Sequence, residues 1–194
     1  MESKIVIGVD LSLKNMITTS VYRNFGDECF FQATKEEQTD RWVSEWMERG
    51  TVWLISQAKE NNADLIAVEK LNTNTMNCTA KQKAVFTGLL NSIPSWAKPN
   101  KLQIIKVDPP FTSKRCFCCG SLNTQRDDRS FLCYDCRYEE NADVNAAKII
   151  GIMGIINLIK NDKVRRIDWT RKYSLATSRG PLPIEKIDWA LNLS

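Results

Sequence analysis

The sequence contains no histidine, and this absence excludes several classes of enzyme. Without an imidazole, the chain cannot be a Ser-His-Asp hydrolase, a Cys-His protease, a His-Glu-x-x-His zinc protease or a nuclease whose motif requires His. A G-x-x-x-x-G-K-[ST] segment is also missing, which argues against a P-loop NTPase. The groups that remain for catalysis are carboxylates, acting together with a hard metal ion.

Long hydrophobic runs are scarce as well. The longest, at 144–159, is interrupted by Asn145, Lys148 and Asn157. It is too short and too polar to span a membrane, and it predicts a buried core helix. The N-terminus carries no apolar signal segment, so the seven Cys indicate metal binding in a reducing, intracellular compartment. We therefore expect a cytoplasmic protein with no membrane partner.

The charge balance permits a nucleic acid as partner without requiring one. The 194 residues include 27 basic and 23 acidic ones, which gives a formal net charge of +4. Basic residues are frequent in the C-terminal region, where Arg165 and Arg166 are candidates for phosphate contacts. A solvated tail explains the same residues equally well, and the sequence leaves both interpretations open.

Two C-x-x-C pairs, thirteen residues apart, form the most specific pattern in the chain. Two such pairs of thiolates suit tetrahedral zinc, and Gly120 allows the backbone to curl beneath the metal. A structural zinc is favoured over a catalytic one, because catalytic zinc keeps an open position and usually has a His or carboxylate ligand. Cys118 is expected to take no part. The predicted zinc ligands are Cys116, Cys119, Cys133 and Cys136.

Hydrophobic periodicity predicts the order β-β-β-α-β-α-β, then the Cys segment, then a final helix. The second predicted helix, 81–93, should close before Pro94. This order is that of an RNase H-like α/β fold, a mixed sheet flanked by helices, with an inserted zinc ribbon. We assign residues 1–110 and 139–194 to the discontinuous main domain and residues 111–138 to the ribbon.

Three acidic residues stand where this topology would bring them together. Asp10 ends the first strand, Glu69 ends the fourth, and Asp143 begins the last helix. Each one alone is equally typical of a turn or of a helix N-terminus. Like charges at one sheet edge are unfavourable without cations, and carboxylates suit Mg²⁺ or Mn²⁺. Two such ions, about 3.5–4 Å apart, can hydrolyse a phosphodiester.

The same residues resemble a known family. GVDLSLKN, IAVEKLN and ENADVNAA resemble the three catalytic motifs of RuvC-like nucleases. The run that begins VDPPFTSKRCFCCGS and contains both Cys pairs is similar to the zinc-ribbon region of TnpB and the type V CRISPR effectors. The resemblance covers roughly residues 4–160. It implies Asp10, Glu69 and Asp143 as ligands of two Mg²⁺ or Mn²⁺ ions, and the four Cys as ligands of one structural Zn²⁺.

The chain departs from the family pattern at two of the motifs. Ser12 stands where the family usually has Gly, and Asn141 and Ala142 stand where it usually has Asp-Arg. Asn141 could instead cap the helix. The resemblance also does not extend to the N-terminal domains that hold guide RNA in TnpB.

We therefore expect a metal-dependent DNA endonuclease of RuvC type that selects branched DNA such as a Holliday junction, with a homodimer as one possible assembly. One alternative is an RNA-guided, TnpB-like nuclease that needs a guide RNA or a partner chain. Another is a nucleic-acid-binding regulator that has lost cleavage. Four basic residues of the ribbon are further candidates for phosphate contacts, although each could be a solvated surface charge: Lys114, Arg115, Arg126 and Arg129.

Overall fold

The computed structural model describes residues 4–12, 17–25, 28–37, 44–76, 78–108, 110–161, 174–177 and 180–183. The helices are α1 (Ser44–Glu60), α2 (Ala80–Ala97) and α3 (Ala142–Asn161). The strands of the main sheet are β1 (Lys4–Leu11), β2 (Ile17–Phe25), β3 (Glu28–Glu37), β4 (Leu65–Glu69) and β5 (Gln103–Val107). The remaining strands are β6 (Thr124–Asp127), β7 (Ser130–Cys133), β8 (Glu139–Asn141), β9 (Ser174–Thr177) and β10 (Gly180–Pro183).

The main sheet has the strand order β3-β2-β1-β4-β5. The first three strands form an antiparallel meander, whereas β4 runs parallel to both β1 and β5. Strands β1 and β4 are therefore neighbours that end at the same edge of the sheet. The predicted α/β, RNase H-like mixed sheet is confirmed.

Helices cover both faces of this sheet because β1 is apolar on both sides. Ile5, Ile7 and Val9 pack with residues of α1 and α2 in one core cluster. Val6, on the alternate face, packs with the isoleucines of α3 in a second cluster. Successive side chains of a strand point to opposite faces, so a continuous apolar run is what a sheet between two helical layers requires.

Helix α3 lies unusually close to β1 because glycines meet at the contact. A Cβ added at Gly8 would lie 2.6 Å from the Cα of Gly151, and closer still to the Ala147 carbonyl oxygen. A Cβ on Gly154 would in turn collide with the Cβ of Ala67 on β4. The three glycines thus allow direct backbone contact between the helix and the sheet, which fixes where α3 begins relative to the end of β1.

The prediction that the second helix closes before Pro94 is wrong. Helix α2 continues to Ala97, and the amide of Lys98 donates to the Pro94 carbonyl. Pro94 itself is exposed, whereas Ile93 and Ala97 are each 1% exposed within the core. An interior proline costs about 3 kcal/mol, and burial of a large apolar side chain returns about 1.5–3 kcal/mol. Core packing on either side of Pro94 therefore carries the helix through it.

The Cys segment forms a three-stranded antiparallel sheet in the order β6-β7-β8. Strand β8 leads directly into α3, so this small sheet is continuous with the helix that carries Asp143. In the C-terminal region, β9 and β10 form a hairpin that contacts β3, which the weak periodicity there did not predict. None of the helices described is long and apolar enough to cross a membrane.

Candidate functional site

The four predicted zinc ligands converge at one point. Their sulfur atoms all lie within 4.8 Å of one another. The Cys116 and Cys136 sulfurs are 3.7 Å apart, and those of Cys119 and Cys133 are 3.5 Å apart. A tetrahedral ion with Zn–S bonds of about 2.3 Å would place its sulfurs about 3.8 Å apart, so the spacing fits zinc. Cys118 lies outside this group, as predicted.

The two thiols of the first Cys pair need a cation to become thiolates. Burial raises the pKa of Cys116 above its usual range and raises the pKa of Cys119 to about 12. A bound dication would favour the deprotonated forms that these pKa values disfavour. Gly120, which follows the first pair, has φ 75° and donates its amide to the Cys116 carbonyl at 2.8 Å. The backbone thus turns beneath the cluster at the predicted glycine.

The first Cys turn is tied to α3 through a buried amide. The Asn145 side chain accepts from the Phe117 amide at 3.0 Å and donates to the Arg115 carbonyl at 2.8 Å. Asn145 is 0% exposed and lies two residues after Asp143. The first turn of α3 therefore contains the third acidic residue and also contacts the first Cys turn through Asn145.

Asp10 and Glu69 lie side by side, as the strand order requires. Val9 is aligned with Val68 in the parallel pairing of β1 and β4, and the two acids follow directly. Glu69 accepts a hydrogen bond from the Thr112 hydroxyl, which is contributed by the loop that leads to the first Cys pair. The end of the sheet and the start of the ribbon thus meet at Glu69.

Asp143 is held at the N-terminus of α3 by three neighbours. The Asn141 side chain accepts from the amides of Asp143 and Val144 at 2.9 and 3.3 Å, which is the predicted helix cap. The Ser12 hydroxyl donates to one carboxylate oxygen of Asp143 at 2.9 Å. Arg126 donates to the other oxygen, also at 2.9 Å, in an ion pair whose acid is 4% exposed.

The charges of Asp143 and Glu69 act on Asp10. Desolvation raises the pKa of Asp10 well above its ordinary value, and the neighbouring charges of Asp143 and Glu69 raise it further. Desolvation also raises the pKa of Glu69, against the hydrogen bond from Thr112 and the charge of Arg126, which lower it. Within the described residues, however, only the Cys cluster has three or more possible ligand atoms within 4.8 Å of one another. The three carboxylates are neighbours at one end of the sheet and form a looser group than the Cys cluster.

This donor set fits a hard divalent cation. Its members are carboxylates at the junction of two strand ends and a helix N-terminus, and mutual repulsion opposes their joint ionisation. Arg126 supplies one compensating positive charge beside Asp143. Asp10, Glu69 and Asp143 are the residues that would hold Mg²⁺ or Mn²⁺, by chemistry and by position.

The proposed phosphate-contact residues are differently placed. Lys114 and Arg129 are exposed on the ribbon, where they can meet a ligand. The Arg115 guanidinium instead donates to the Gly120 carbonyl at 2.8 Å, and Arg126 is paired with Asp143. Arg115 is half-buried, and Arg126 is exposed but engaged with Asp143, which favours a structural part for these two arginines. Arg165 and Arg166 lie outside the described residues.

Sequence reasoning did not assign Ser12, Thr112 or Asn145 to the site. Ser12 was noted only as a departure from the family pattern, yet its hydroxyl contacts Asp143. Thr112 and Asn145 act through contacts distant in sequence, with Glu69 and with the first Cys turn. Only their positions inside the motif segments could have suggested them.

Fold and site together define the class: an RNase H-like domain of RuvC type that carries a four-Cys ribbon beside three acidic residues. Comparison with known proteins shows what the chain is similar to. Residues 86–150 match the family described as Cas12f1-like, TNB domain. The curated CRISPR-associated endodeoxyribonuclease Cas12f1 of Sulfoacidibacillus thermotolerans is 31% identical over 110 residues, which make up 55% of this chain and 26% of that protein. The chain thus spans about a quarter of the length of this relative.

Solved structures agree on the fold. Cas12f1 in its complex with sgRNA and target DNA superposes with a TM-score of 0.58 and 18% identity, over 76% of this chain and 49% of that one. The RuvC structure from Thermus thermophilus gives a TM-score of 0.55 and 12% identity, over 92% and 99% of the two chains. The resemblance to TnpB and type V RuvC-like nucleases, predicted from the motifs, is confirmed.

Proposed function

We propose that this protein is a metal-dependent DNA endonuclease of RuvC type that hydrolyses phosphodiester bonds. The observation that carries the proposal is the placement of the three acids: Asp10 and Glu69 follow paired residues of neighbouring strands, and Asp143 is hydrogen-bonded to Ser12, two residues after Asp10. A bound dication would offset the repulsion between acids placed in this way. The acids are therefore suited to hold a metal ion beside a phosphate.

Each acid has a distinct part in this proposal. Asp10, on which the charges of both other acids act, would be a ligand of both ions, while Glu69 and Asp143 would complete the two sites. Bound Mg²⁺ or Mn²⁺ supplies an activated water and stabilises the leaving oxygen. The protein keeps the acids in position: Thr112 orients Glu69, and Ser12 and Arg126 orient Asp143.

The ribbon, residues 111–138 in the proposed division, would have a structural role, and its zinc would take no part in the reaction. All four cluster ligands are protein sulfurs, which leaves no open coordination position. The ribbon contributes two contacts to the acids: Thr112 hydrogen-bonds Glu69, and Arg126 forms an ion pair with Asp143. Exposed Lys114 and Arg129 could add phosphate contacts from the same side.

Branched DNA is the first candidate substrate. The fold matches RuvC over most of both chains, and a TM-score of 0.54 relates it to the T. thermophilus RuvC in complex with a Holliday junction substrate. A two-fold junction would favour action as a homodimer. RNA-guided cleavage is the second candidate, because the 31% identical relative is a Cas12f1, and a similar Cas12f1 structure contains sgRNA and target DNA.

One experiment tests the activity and separates the substrates. A labelled four-way junction and a matched linear duplex are incubated in Mg²⁺ with RNase-treated protein, and in parallel with protein that retains any co-purified RNA. Symmetric nicks in the junction alone support the first candidate. Cleavage that requires RNA of defined length supports the second.

Variants decide whether the acids carry the reaction. Asp143→Asn should abolish cleavage and leave DNA binding and zinc content intact. Asp108→Asn, which changes an exposed acid just beyond the neighbouring strand β5, should cleave as the wild type does. Turnover by the Asp143 variant would refute the assignment. Salt-sensitive binding without turnover by any form would instead indicate a regulator, a reading favoured by Ser12 and Arg126 engaging both oxygens of Asp143.

A further inference from the structure

Thr18 has a buried hydroxyl without a partner. The residue lies in β2 and is 0% exposed. In the part of the chain that the structure describes, its Oγ1 is the one buried side-chain N or O atom with no hydrogen bond. Buried polar atoms are nearly always hydrogen-bonded, and leaving a hydroxyl unpaired is unfavourable. The Thr18 hydroxyl therefore needs a hydrogen-bond partner that is not a protein atom.

The strand register directs this hydroxyl toward the acids. Thr18 is the direct antiparallel partner of Asp10, and residues directly opposite each other lie on the same face of a sheet with Cβ atoms about 4.5–5.5 Å apart. Tyr22, four residues further along the same face, packs against α3, the helix that carries Asp143. Thr18 is therefore on the acid side of the sheet, beside Asp10.

We propose that Thr18 is an outer-shell residue of the cation site, where its Oγ1 hydrogen-bonds a water carried by the divalent ion at Asp10. This inference rests on the metal site of the proposed function. Water is a better partner than the carboxylate, because Thr18 and Asp10 share no hydrogen bond despite their direct pairing. Mg²⁺ usually keeps several of its waters, and those waters need acceptors or donors in the protein.

The test measures Mn²⁺ affinity by electron paramagnetic resonance, with the zinc-loaded full chain and no nucleic acid. Thr18→Val keeps the shape and removes the hydroxyl, and Thr18→Ser keeps the hydroxyl. Thr19→Val is the matched control, because Thr19 is 1% exposed, pairs with Val9 and lies on the opposite face. We expect Thr18→Val to weaken Mn²⁺ binding about 10–100-fold, and both Thr18→Ser and Thr19→Val to bind within about threefold of wild type.

The melting temperature without Mn²⁺ provides a second, independent readout. Removing an unpaired buried hydroxyl should leave the metal-free melting temperature of Thr18→Val unchanged or raise it. The expected combination is weaker Mn²⁺ binding with no loss of metal-free stability. If Thr18 had only a structural role, its replacement would not produce this combination. Should Thr18→Val not fold, Thr18→Ala is measured in its place with the same expected loss of Mn²⁺ affinity.

Several results would overturn the inference. These are wild-type Mn²⁺ affinity in Thr18→Val, a fall in its metal-free melting temperature that accounts for the lost affinity, or no Mn²⁺ binding by the wild type. The first of these would mean that an ordinary buried water satisfies Thr18. Failure of the nuclease proposal looks different: the wild type would bind Mn²⁺ in a Thr18-dependent way and cleave no DNA.

Discussion

Replacing Gly8 with Ala should move Asp143 relative to Asp10 without changing any of the three acidic residues. A Cβ at this position would point at the helix backbone, between the Ala147 carbonyl oxygen and the Gly151 amide nitrogen. These two atoms are four residues apart, the spacing of a helical hydrogen bond. Since the obstacle is backbone, no side chain can rotate away, and α3 must shift relative to β1.

The size of the shift follows from the contact distances. The added Cβ would lie 2.6 Å from the Gly151 Cα, whereas ordinary van der Waals contact begins at 3.4 Å, so α3 must move by about 1 Å. Asp143 moves with the helix and Asp10 stays with the strand. A misplacement of about 1 Å can cost about 100-fold in rate, and overpacking costs about 1–3 kcal/mol of stability. For a chain of this size, the melting temperature should fall by roughly 2–12 °C.

The assay is single-turnover cleavage of the preferred DNA at saturating enzyme, with zinc content and melting temperature measured on the same sample. Gly88→Ala is the matched control, because the added Cβ there meets the flexible side-chain end of Met47 rather than backbone. We expect a rate loss of about 100-fold for Gly8→Ala with one zinc retained, and little change for Gly88→Ala. A Gly8→Ala enzyme with wild-type rate would refute the claim that close helix–strand contact sets the acid geometry.

Three further predictions concern metal, charge and pH. Cys133→Ser should lose the single zinc, measured by metal analysis, and with it the folded ribbon, since structural zinc contributes about 10–16 kcal/mol of binding free energy. Glu140→Gln should cost about 3 kcal/mol in urea unfolding, because it removes the carboxylate charge 2.7 Å from the Lys148 ammonium, which is 4% exposed. Adding Lys148→Met should recover most of that loss, and a single variant as stable as wild type would contradict the argument. The raised pKa of Asp10 means that the metal-free folded state holds its proton more tightly than the unfolded chain. Stability should therefore decline as pH rises from about the ordinary value of 3.8 through the folded pKa, and Asp10→Asn should flatten that part of the profile.

The main sheet and the acid positions could be predicted because both depend on local signals. A short apolar run rich in β-branched residues, such as that ending at Asp10, is typical of a strand covered on both faces, and the order of elements then indicates which strand ends are neighbours. The Cys spacing predicted the cluster for a similar reason, since each pair forms its own turn.

Features that depend on packing between distant segments could not be predicted. Pro94 looked like a helix end because a proline breaks helices locally, and only the buried neighbours on each side explain why the helix continues. The ion pair between Arg126 and Asp143 requires the register of β6, β7 and β8, which no spacing in the sequence reveals. The hairpin of β9 and β10 contains two prolines and lacks alternation, so it gave no strand signal.

The ribbon and the acid-bearing helix are directly connected, because β8 pairs with β7 of the ribbon and runs into α3. Glu140 on β8 pairs with Lys148 on α3, whose ammonium lies 5.2 Å from the centre of the Phe117 ring in the first Cys turn. In the strand register, Glu140 is opposite Phe131, and Phe131 is opposite Arg126, so one row of residues links the buried ion pair to the arginine that holds Asp143. Loss of zinc would loosen the ribbon end of this row of residues, although all three acidic residues would be unchanged. A metal ion at the Cys cluster would therefore influence where Asp143 lies without contacting a substrate.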